Sequence, residues 1–367
     1  MSRPSDLKFM RRALSLARRG LGSASPNPLV GAVLVKKGKI IGEGWHRRAG
    51  EPHAEIEALR DAAQRRQSPR GATLFVSLEP CCTHGRTPPC TDAIIAAGIR
   101  EVVVAATDPN PRHAGRGFAV LRDAGIIVRP GLLGDDATRL NAAFNHWIVH
   151  RTPLITLKAA LTLDGKIATA SGESRWITGE LARRYAMRLR LEHDAVLIGV
   201  NTALADDPQL TIRIGRRVRC PQRWVLDTHA RIPLTSRMLN DEFRDRTVIV
   251  VGKGAPTRRV ADLRSRVEVV VAPVKGGRTD LGWLVKKLGQ RSVTSLLVEG
   301  GGEVHASLLE LGLAQRVAFV YGPLVLGGIS ARRGVGGQGF NSLKTAPRLT
   351  NVEFRRCGAD LLLRGDL

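Results

Sequence analysis

Two patterns of apolar residues, continuous runs and helical spacing, alternate along the first part of the chain. Short apolar runs are typical of buried strands, and apolar residues that recur every three to four positions are typical of helices. This pattern predicts helices at 5–19, 54–66 and 91–98 and strands at 30–35, 39–45, 73–78 and 101–107. The polar stretch Lys36-Lys37-Gly38 between the first two strands indicates a hairpin. The later order of strand, helix and strand predicts a parallel pair, and therefore an α/β sheet with helices on its faces.

A second group of elements begins near Pro153. The pattern there predicts helices at 179–192 and 303–312 and strands at 154–162, 193–200, 224–227, 248–251, 267–272, 296–299 and 317–321. We place the join within 145–153 and the two domains at 1–147 and 148–367. Because the join is not rich in glycine or serine, we expect two closely packed domains rather than loosely tethered ones.

Composition agrees with a two-domain globular protein. The chain has 367 residues, of which 43% are hydrophobic and 25% charged, and this length exceeds what one ordinary core occupies. The N-terminal stretch mixes charged and apolar residues, which indicates an amphipathic helix rather than a signal peptide. No apolar run approaches the roughly 20 residues that span a bilayer. We therefore expect a cytoplasmic protein with no membrane partner.

The charge of the chain is strongly positive. Lys and Arg number 57 against 33 Asp and Glu, which gives a formal net charge of +24. Such a charge is typical of nucleic-acid-binding proteins. However, the basic residues are scattered as pairs, and the aromatic content of 4% is too low for base-stacking platforms. We expect small phosphorylated substrates as partners and no nucleic acid.

The candidate chemistry of the first part lies in two short stretches. His53 and Glu55 begin a predicted helix, and Glu79 to Cys90 reads EPCCTHGRTPPC. One histidine and two thiolates, from His53, Cys81 and Cys90, give zinc three ligands and leave a fourth position for water. Glu55 is then a candidate for moving protons between that water and a substrate. The pattern therefore indicates a catalytic zinc centre.

Other interpretations of the cysteines remain open at this point. A structural zinc site would need a fourth ligand, which Cys82 or His84 could supply. A redox dithiol is disfavoured because no CxxC is present. Five cysteines in 367 residues do not form a disulfide framework.

The first ~145 residues resemble a known family of zinc enzymes. The H-x-E and P-C…C pattern resembles zinc nucleobase deaminases, although eight residues separate Cys81 from Cys90 where general deaminases have PCxxC. Together with SPNPLVGAV at 25–33, GRTPPC and DPNPRHAGRG at 108–117, the stretch resembles the pyrimidine deaminase of riboflavin biosynthesis. The resemblance implies a cytidine-deaminase-like α/β/α sandwich. It also implies one Zn²⁺ per chain on His53, Cys81 and Cys90, with Glu55 as the proton carrier.

The same resemblance places four residues around the substrate, namely Asn27, His84, Asp108 and Asn110. We expect Cys82 not to be a ligand.

The second part resembles the reductase domain that is fused to this deaminase in the bifunctional bacterial enzymes. The matching stretches are LKAALTLDGKIATASGESRWIT at 157–178, NTALADDPQLTIR at 201–213, LDT at 226–228 and VEGGGEVHASLL at 298–309. The resemblance implies a dihydrofolate-reductase-like α/β fold that binds NADPH. The residues that it places beside NADPH are Ala160, Trp176, Thr202, Asp206, Thr228, Gly301, Gly302, Glu303, Val304, His305, Ala306 and Ser307. Those that it places beside the substrate are Lys158, Ser174, Arg190, Leu210, Arg213 and Glu299.

These resemblances predict a bifunctional enzyme of riboflavin biosynthesis. It would deaminate 2,5-diamino-6-(5-phosphoribosylamino)pyrimidin-4-one with zinc and then reduce the ribosyl side chain to ribityl with NADPH. We also expect a homo-oligomer. The alternative in the same chemical class is an RNA adenosine or cytidine deaminase with a nucleic-acid-binding C-terminal domain. The alternative in another class is a nucleic-acid-binding zinc protein without catalysis.

Overall fold

The computed structural model describes residues 4–84, 88–111, 113–215 and 217–367. The chain divides into two compact units, Met1–Arg151 and Thr152–Leu367. The helix Ala142–His150, the last element of the first unit, contains the position 147/148 at which the sequence placed the division.

The first unit alternates helices and strands. Its elements are α1 (Pro4–Ala17), β1 (Gly31–Lys36), β2 (Lys39–Trp45), α2 (Ala54–Gln64), β3 (Thr73–Leu78), α3 (Cys90–Ala96), β4 (Glu101–Ala106), α4 (Arg116–Asp123), β5 (Ile127–Pro130), α5 (Gly134–Leu140) and α6 (Ala142–His150). The strands form one sheet in the order β2-β1-β3-β4-β5. The pairs β1–β2 and β1–β3 are antiparallel, whereas β3–β4 and β4–β5 are parallel. The predicted hairpin and the predicted parallel pair are both confirmed.

Both faces of this sheet are buried, which explains why its strands are continuous apolar runs. Successive residues of a strand point to opposite faces. Ala32 and Leu34 of β1 belong to the core beneath α2, α3 and α4. Val33 and Val35 of the same strand belong to the core beneath α1 and α5. The unit is an α/β/α sandwich.

The second unit contains the larger sheet. Its elements are β6 (Leu154–Leu161), β7 (Lys166–Ala168), α7 (Glu180–Leu191), β8 (Ala195–Gly199), α8 (Val200–Asp206), β9 (Ile212–Ile214), β10 (Arg217–Arg219), β11 (Gln222–Leu226), β12 (Thr247–Gly252), α9 (Thr257–Arg264), β13 (Glu268–Ala272), β14 (Val274–Lys275), β15 (Arg278–Thr279), α10 (Leu281–Gln290), β16 (Ser295–Val298), α11 (Gly302–Glu310), β17 (Arg316–Tyr321), β18 (Arg332–Arg333), β19 (Thr350–Cys357) and β20 (Asp360–Asp366).

Nine of these strands form one sheet in the order β13-β12-β11-β8-β16-β6-β17-β20-β19. Pairing is parallel from β13 to β17, and β20 and β19 continue the sheet as an antiparallel hairpin. Leu197 and Trp224 lie in the core that includes α10 and α11, and Val196 and Val225 lie in the core on the other face. In open α/β sheets, ligands bind beyond the carboxyl ends of the strands. Here β8, β11 and β16 end side by side.

The predicted fold class of two α/β domains is confirmed. The predicted long strands and helices are all present, with ends that shift by a few residues. Several elements were not predicted, including α6, α9, α10 and the β19–β20 hairpin. Among the described residues, no helix combines the length and apolar character needed to cross a membrane.

Candidate functional site

Four side chains of the first unit converge from three neighbouring elements. His53 is the N-cap residue of α2, and Glu55 lies in the first turn of that helix. Cys81 follows the end of β3, and Cys90 is the first residue of α3. The helix start at Cys90 places its backbone N–H 3.3 Å from the Cys81 sulfur, to which it donates. The ends of these strands and helices therefore bring His53 and Cys90, which are 37 positions apart in sequence, next to each other.

The three possible metal ligands have the spacing of a zinc site. His53 Nδ1 lies 3.3 Å from Cys90 Sγ and 3.5 Å from Cys81 Sγ. All three ligand atoms lie within 4.8 Å of one another. A nitrogen at about 2.0 Å and a sulfur at about 2.3 Å from one tetrahedral zinc are about 3.5 Å apart. The donor atoms and their separations fit zinc. The described part of the chain adds no fourth His, Cys or carboxylate to this group.

The hydrogen bond between the two cysteine side chains shifts their pKa values in opposite directions. The hydrogen bond from Cys90, together with that from the His53 ring, lowers the pKa of Cys81 to about 4. The same hydrogen bond, together with burial, raises the pKa of Cys90. The hydrogen bond with Cys81 also raises the pKa of His53. A divalent cation at this point would displace the Cys90 proton, because thiolates are the metal-binding form.

Glu55 is buried beside these ligands, with 3% of its surface exposed. Burial, reinforced by the negative charge of Cys81, raises the pKa of Glu55 to about 7. A carboxyl group with a pKa near the working pH can both accept and donate a proton.

His46 packs directly behind the possible metal ligands. Its ring packs edge-on against the His53 ring at a centroid distance of 5.3 Å. Asn27 Nδ2 lies 3.0 Å from His46 Nε2, and His46 Nδ1 lies 3.1 Å from the Pro52 carbonyl oxygen. The Asn27 amide nitrogen can only donate and the Pro52 carbonyl oxygen can only accept. His46 is therefore neutral, with its proton on Nδ1. Burial, which lowers the pKa of His46, agrees with this assignment.

Glu79 fixes the loop that carries two of the predicted substrate residues. Its carboxylate accepts hydrogen bonds from the backbone N–H groups of Asp108, Gly115 and Gly117, at 3.1, 3.0 and 2.9 Å. Asp108 in turn accepts from the N–H of Asn110 at 2.9 Å. The carboxylate of the EPC motif therefore positions the DPN motif. Arg112 of DPNPRHAGRG and the segment 85–87 of GRTPPC lie outside the described residues.

These groups surround one cavity of about 260 Å³. Its lining includes the predicted residues Asn27, His53, Glu55, Cys81, Asp108 and Asn110. His84 is exposed and does not line the cavity. Cys82 does not line it either, and burial raises the pKa of that thiol. Neither residue belongs to the His53 group of possible ligands.

The sequence interpretation missed one wall of this cavity. Phe144, Trp147 and Ile148 of α6 line it, although 145–153 was interpreted as the join between the two domains. Their spacing of three and four residues was the available signal, because it places them on one helix face. His46, Glu79 and His113 also line the cavity and were not predicted. Glu79 and His113 lie within the EPC and DPNPRHAGRG stretches, but no role was assigned to either, and His46 lies in no recognised motif.

The second unit has a cleft of about 1420 Å³ at the carboxyl ends of β8, β11 and β16. Predicted residues that line it are Ser174, Thr202, Asp206, Thr228, Gly301, Gly302, Glu303, Val304 and Ser307. His305 and Ala306 are buried behind it, with 1% and 3% of their surfaces exposed. His305 instead contacts the carbonyl oxygens of Gly334 and Val298, at 2.9 and 3.2 Å. Ala160 and Trp176 lie outside the cleft lining, and the Trp176 ring stacks against Arg183.

Two glycines of the triple-glycine turn have different roles. A Cβ atom on Gly302 would lie 2.3 Å from the Arg333 carbonyl oxygen, so this position packs tightly against the strand β18. A Cβ on Gly301 would meet nothing nearer than Thr202 Oγ1 at 3.8 Å. Gly301 therefore faces open space in the cleft, where the N-terminus of α11 offers free N–H groups for an anion.

Three predicted substrate residues form a buried ionic group. Arg190 Nε lies 2.6 Å from Glu299 Oε1, and its Nη2 lies 3.0 Å from Oε2. Its Nη1 donates to the Thr211 carbonyl oxygen at 2.9 Å. Lys158 Nζ lies 3.6 Å from Glu299 Oε2. Each nitrogen of the Arg190 guanidinium thus already has a protein acceptor.

Two further predicted substrate residues, Leu210 and Arg213, lie in the segment before β9 and within it. Leu210 is buried, with 4% of its surface exposed, and has a positive φ of 53°. Arg213 is exposed and donates to Gln209 Oε1 at 2.7 Å. Neither lines the cleft.

Two family models match the chain. The cytidine and deoxycytidylate deaminase zinc-binding region matches residues 3–106, and the RibD C-terminal domain matches residues 153–363. The zinc-binding region contains His53, Cys81 and Cys90, so the comparison and the geometry agree on zinc in the first unit. The second match covers more than half of the chain and identifies the second unit as a reductase domain, which uses a nicotinamide cofactor.

Full-length relatives show the same combination. Riboflavin biosynthesis protein RibD of Actinobacillus pleuropneumoniae is 42% identical over 98% of this chain and 94% of its own length. The protein of the same name from Escherichia coli is 41% identical over 98% of both chains. Among solved structures, Acinetobacter baumannii RibD has a TM-score of 0.86 at 37% identity, covering 99% of this chain and 98% of its own. A deaminase/reductase from Thermotoga maritima has a TM-score of 0.82 at 35% identity, with the same coverage. The chain therefore belongs to the RibD family and is a bifunctional enzyme of riboflavin biosynthesis, with a zinc-binding deaminase domain and a reductase domain.

Proposed function

We propose that the first unit deaminates 2,5-diamino-6-(5-phosphoribosylamino)pyrimidin-4-one and that the second reduces the product with NADPH. The Thermotoga maritima relative is named a diaminohydroxyphosphoribosylaminopyrimidine deaminase and 5-amino-6-(5-phosphoribosylamino)uracil reductase. The observation that carries the first half is the convergence of His53, Cys81 and Cys90 on one point with the buried Glu55 beside them. A site of three ligands and a carboxyl group is the arrangement of a catalytic zinc centre.

In this proposal His53, Cys81 and Cys90 hold the metal, and Cys82 does not. Bound zinc supplies a Lewis acid that lowers the pKa of a water molecule at the position left open by three protein ligands. The backbone N–H of Cys90, which donates to Cys81 Sγ, helps to keep that sulfur as a thiolate.

Glu55 carries the proton. Hydrolytic deamination forms a bond from the ring carbon to a water oxygen and breaks the bond to the amino nitrogen. One proton from water must reach that nitrogen, because it leaves as ammonia. Burial raises the pKa of this carboxyl group to about 7. At a pH near that value, both accepting a proton from water and releasing it to the amine have a small free-energy cost.

The remaining residues orient the pyrimidine. Asn27 uses Nδ2 to contact His46, so its Oδ1 is left as an acceptor for a ring N–H or amino group. Asp108 and Asn110, on the loop held by Glu79, add polar contacts at the same cavity. Phe144 and Trp147 provide an apolar wall against which a flat ring can pack.

The second reaction takes place in the cleft of the second unit. Bound NADPH would supply a hydride to C1′ of the ribosyl group, which is bonded to nitrogen and becomes an imine carbon when the sugar ring opens. The C1′–O4′ bond breaks, O4′ takes a proton to become a hydroxyl group, and the protein contributes mainly positioning. Thr202, Asp206, Thr228 and the turn at Gly301 line the cleft where we place the cofactor. Lys158, Arg190 and Glu299 form the buried ionic group that we place on the substrate side. The uracil released by the first unit is the substrate of the second.

The test follows ammonia release, NADPH oxidation and zinc content in the same preparation. We expect about one zinc per chain, ammonia release from the diaminopyrimidine, and NADPH oxidation only after deamination or on addition of the deaminated compound. Absence of ammonia release from a zinc-loaded protein would contradict the deaminase half. Absence of NADPH oxidation with the deaminated compound would contradict the reductase half.

A pair of neighbouring cysteines provides the matched control for the ligand assignment. Cys90→Ser removes a proposed ligand, so zinc content and ammonia release should both fall, by at least about tenfold. Cys82→Ser changes a half-buried thiol outside the cavity lining and should retain both. Equal zinc loss in the two variants would overturn the assignment of Cys90 over Cys82. The RNA deaminase alternative is not favoured, because the RibD C-terminal domain accounts for residues 153–363.

A further inference from the structure

A β-hairpin with a two-residue turn lines the reductase cleft and carries two adjacent cationic side chains. Lys275 in β14 and Arg278 in β15 are directly opposite each other in the antiparallel pair. The turn between them is Gly276-Gly277, with φ values of 57° and 75°, as such hairpin turns require. Opposite residues of an antiparallel pair place their side chains on the same face. Both side chains line the cleft.

The hairpin is fixed to the end of strand β11. The N–H of Thr279 donates to Thr228 Oγ1 at 3.3 Å, and the two hydroxyl groups are 3.1 Å apart. Thr228 lines the same cleft. The two cations are therefore held at the strand end where the cofactor contact at Thr228 is proposed.

The two carboxylates next to this strand end and the hairpin, Asp227 and Asp280, each accept a hydrogen bond from a backbone N–H. NAD-selective sites place a carboxylate there to accept a hydrogen bond from the ribose 2′-hydroxyl, and NADP-selective sites place a cation nearby. Asp227 precedes Thr228 but is fully buried, and its Oδ2 accepts the N–H of Ile232 at 2.8 Å. Asp280, beyond the hairpin, caps α10 by accepting the N–H of Trp283 at 3.0 Å.

Arg278 has one acidic partner. Its two terminal nitrogens lie 3.2 Å from Glu303 Oε2. Both side chains are largely exposed, at 66% and 59%, and exposed ion pairs of this kind are weak. A phosphate dianion competes well for such a guanidinium, because it accepts two parallel hydrogen bonds.

We propose that Lys275 and Arg278 bind the 2′-phosphate of NADPH and so determine the preference for NADPH over NADH. This inference rests on the proposed NADPH-dependent reduction in the second unit. The phosphate would lie between the two cations, with Thr228 and Thr279 holding the hairpin in place beneath it.

The test measures binding by isothermal titration calorimetry with two small fragments of the cofactor. Adenosine 2′,5′-bisphosphate carries the 2′-phosphate, and 5′-AMP lacks it. In the full chain with Lys275→Gln and Arg278→Gln together, we expect the Kd for the bisphosphate to rise about tenfold or more, since charged hydrogen bonds to phosphate are lost. The Kd for 5′-AMP should change by less than about twofold. The ratio of kcat/KM for NADPH to that for NADH should fall in parallel.

Arg258→Gln is the matched control, because Arg258 is exposed on α9 and does not line the cleft. It should leave both Kd values and the cofactor ratio at wild-type levels. An unchanged bisphosphate Kd in the double variant, or an equal loss for 5′-AMP, would overturn the role of the hairpin. If the wild-type protein uses NADH as well as NADPH, the proposed cofactor itself is wrong. If the wild type prefers NADPH and the double variant keeps that preference, only the hairpin inference fails.

Discussion

Arg190 and Glu299 form a two-point ion pair inside the reductase unit, with N–O distances of 2.6 and 3.0 Å. Burial by itself raises the pKa of Glu299, but the charges of Arg190 and Lys158 outweigh it and lower the pKa to about 2. The pair also joins α7 to the end of β16, because Arg190 belongs to that helix and Glu299 follows that strand. The ionic group thus has a structural role beside any contact with substrate.

Removal of one partner should therefore destabilise the second unit. Arg190→Met leaves the Glu299 carboxylate buried without its main partner, which costs about 3–5 kcal/mol. The melting temperature of this unit should fall by roughly 10 °C. The control is Arg184→Met on the same helix, whose ion pair with Glu180 is exposed and worth about 1 kcal/mol or less. Similar small shifts for both variants, measured by scanning calorimetry, would contradict the structural role.

A buried histidine should make the stability of the same unit depend on pH. His193 Nδ1 lies 2.7 Å from the Leu189 carbonyl oxygen, so it donates there, and Nε2 accepts from Thr156 Oγ1 at 3.0 Å. Burial lowers the pKa of His193 to about 4, despite the nearby Asp194 charge. The ring is therefore neutral in the folded state, whereas in the unfolded chain it titrates near a pKa of about 6.5.

Between these two values the unfolded state binds more protons, so stability falls as the pH is lowered from about 6.5 towards 4. The contribution of one such group reaches about 1.4 kcal/mol per pH unit. His193→Gln should remove that part of the slope when melting temperatures are compared between pH 7.5 and 5. His229→Gln changes an exposed histidine and should keep the wild-type slope. Parallel profiles for His193→Gln and wild type would contradict the prediction.

The two neighbouring glycines of the cleft should separate folding from cofactor binding. Gly302→Ala places a methyl group 2.3 Å from the Arg333 carbonyl oxygen, so it should destabilise the unit by about 1–3 kcal/mol. Gly301→Ala meets no protein atom closer than 3.8 Å, so its melting temperature should stay near wild type.

The methyl group of Gly301→Ala nevertheless projects into the cleft and should weaken NADPH binding, measured as an increase in Kd. The matched pair thus predicts loss of stability at one position and loss of affinity at the next. A normal melting temperature for Gly302→Ala, or unchanged NADPH affinity for Gly301→Ala, would show that the turn does not have these two roles.

The sequence predicted those parts of the fold and site that have strong local patterns. β1 was predictable because Val33 and Leu34 are both buried, on opposite faces, so the strand is a continuous apolar run. His53, Glu55, Cys81 and Cys90 were predictable because zinc chemistry restricts residue type and because each begins or follows a regular element. The structure then brings the three possible ligands together.

The remaining site residues depend on tertiary structure. His46 is recognisable only from its contacts with Asn27 and the Pro52 carbonyl, and neither contact has a sequence pattern. The roles of Lys275 and Arg278 depend on a short hairpin whose place at the cleft follows from the Thr279–Thr228 hydrogen bonds. The family resemblance placed His305 beside NADPH, but its side chain contacts carbonyl groups behind the cleft. Only the backbone of such a buried residue is then left to contact the cofactor.

The central claim is that one chain holds two separate active sites and that Glu55 moves the proton in the first. The most direct measurement compares Glu55→Gln with wild type for zinc content, ammonia release from the diaminopyrimidine, and NADPH oxidation with the deaminated compound. We predict unchanged zinc content, ammonia release reduced by at least about 100-fold, and unchanged NADPH oxidation. Ammonia release at the wild-type rate by the zinc-loaded variant would contradict the role of Glu55.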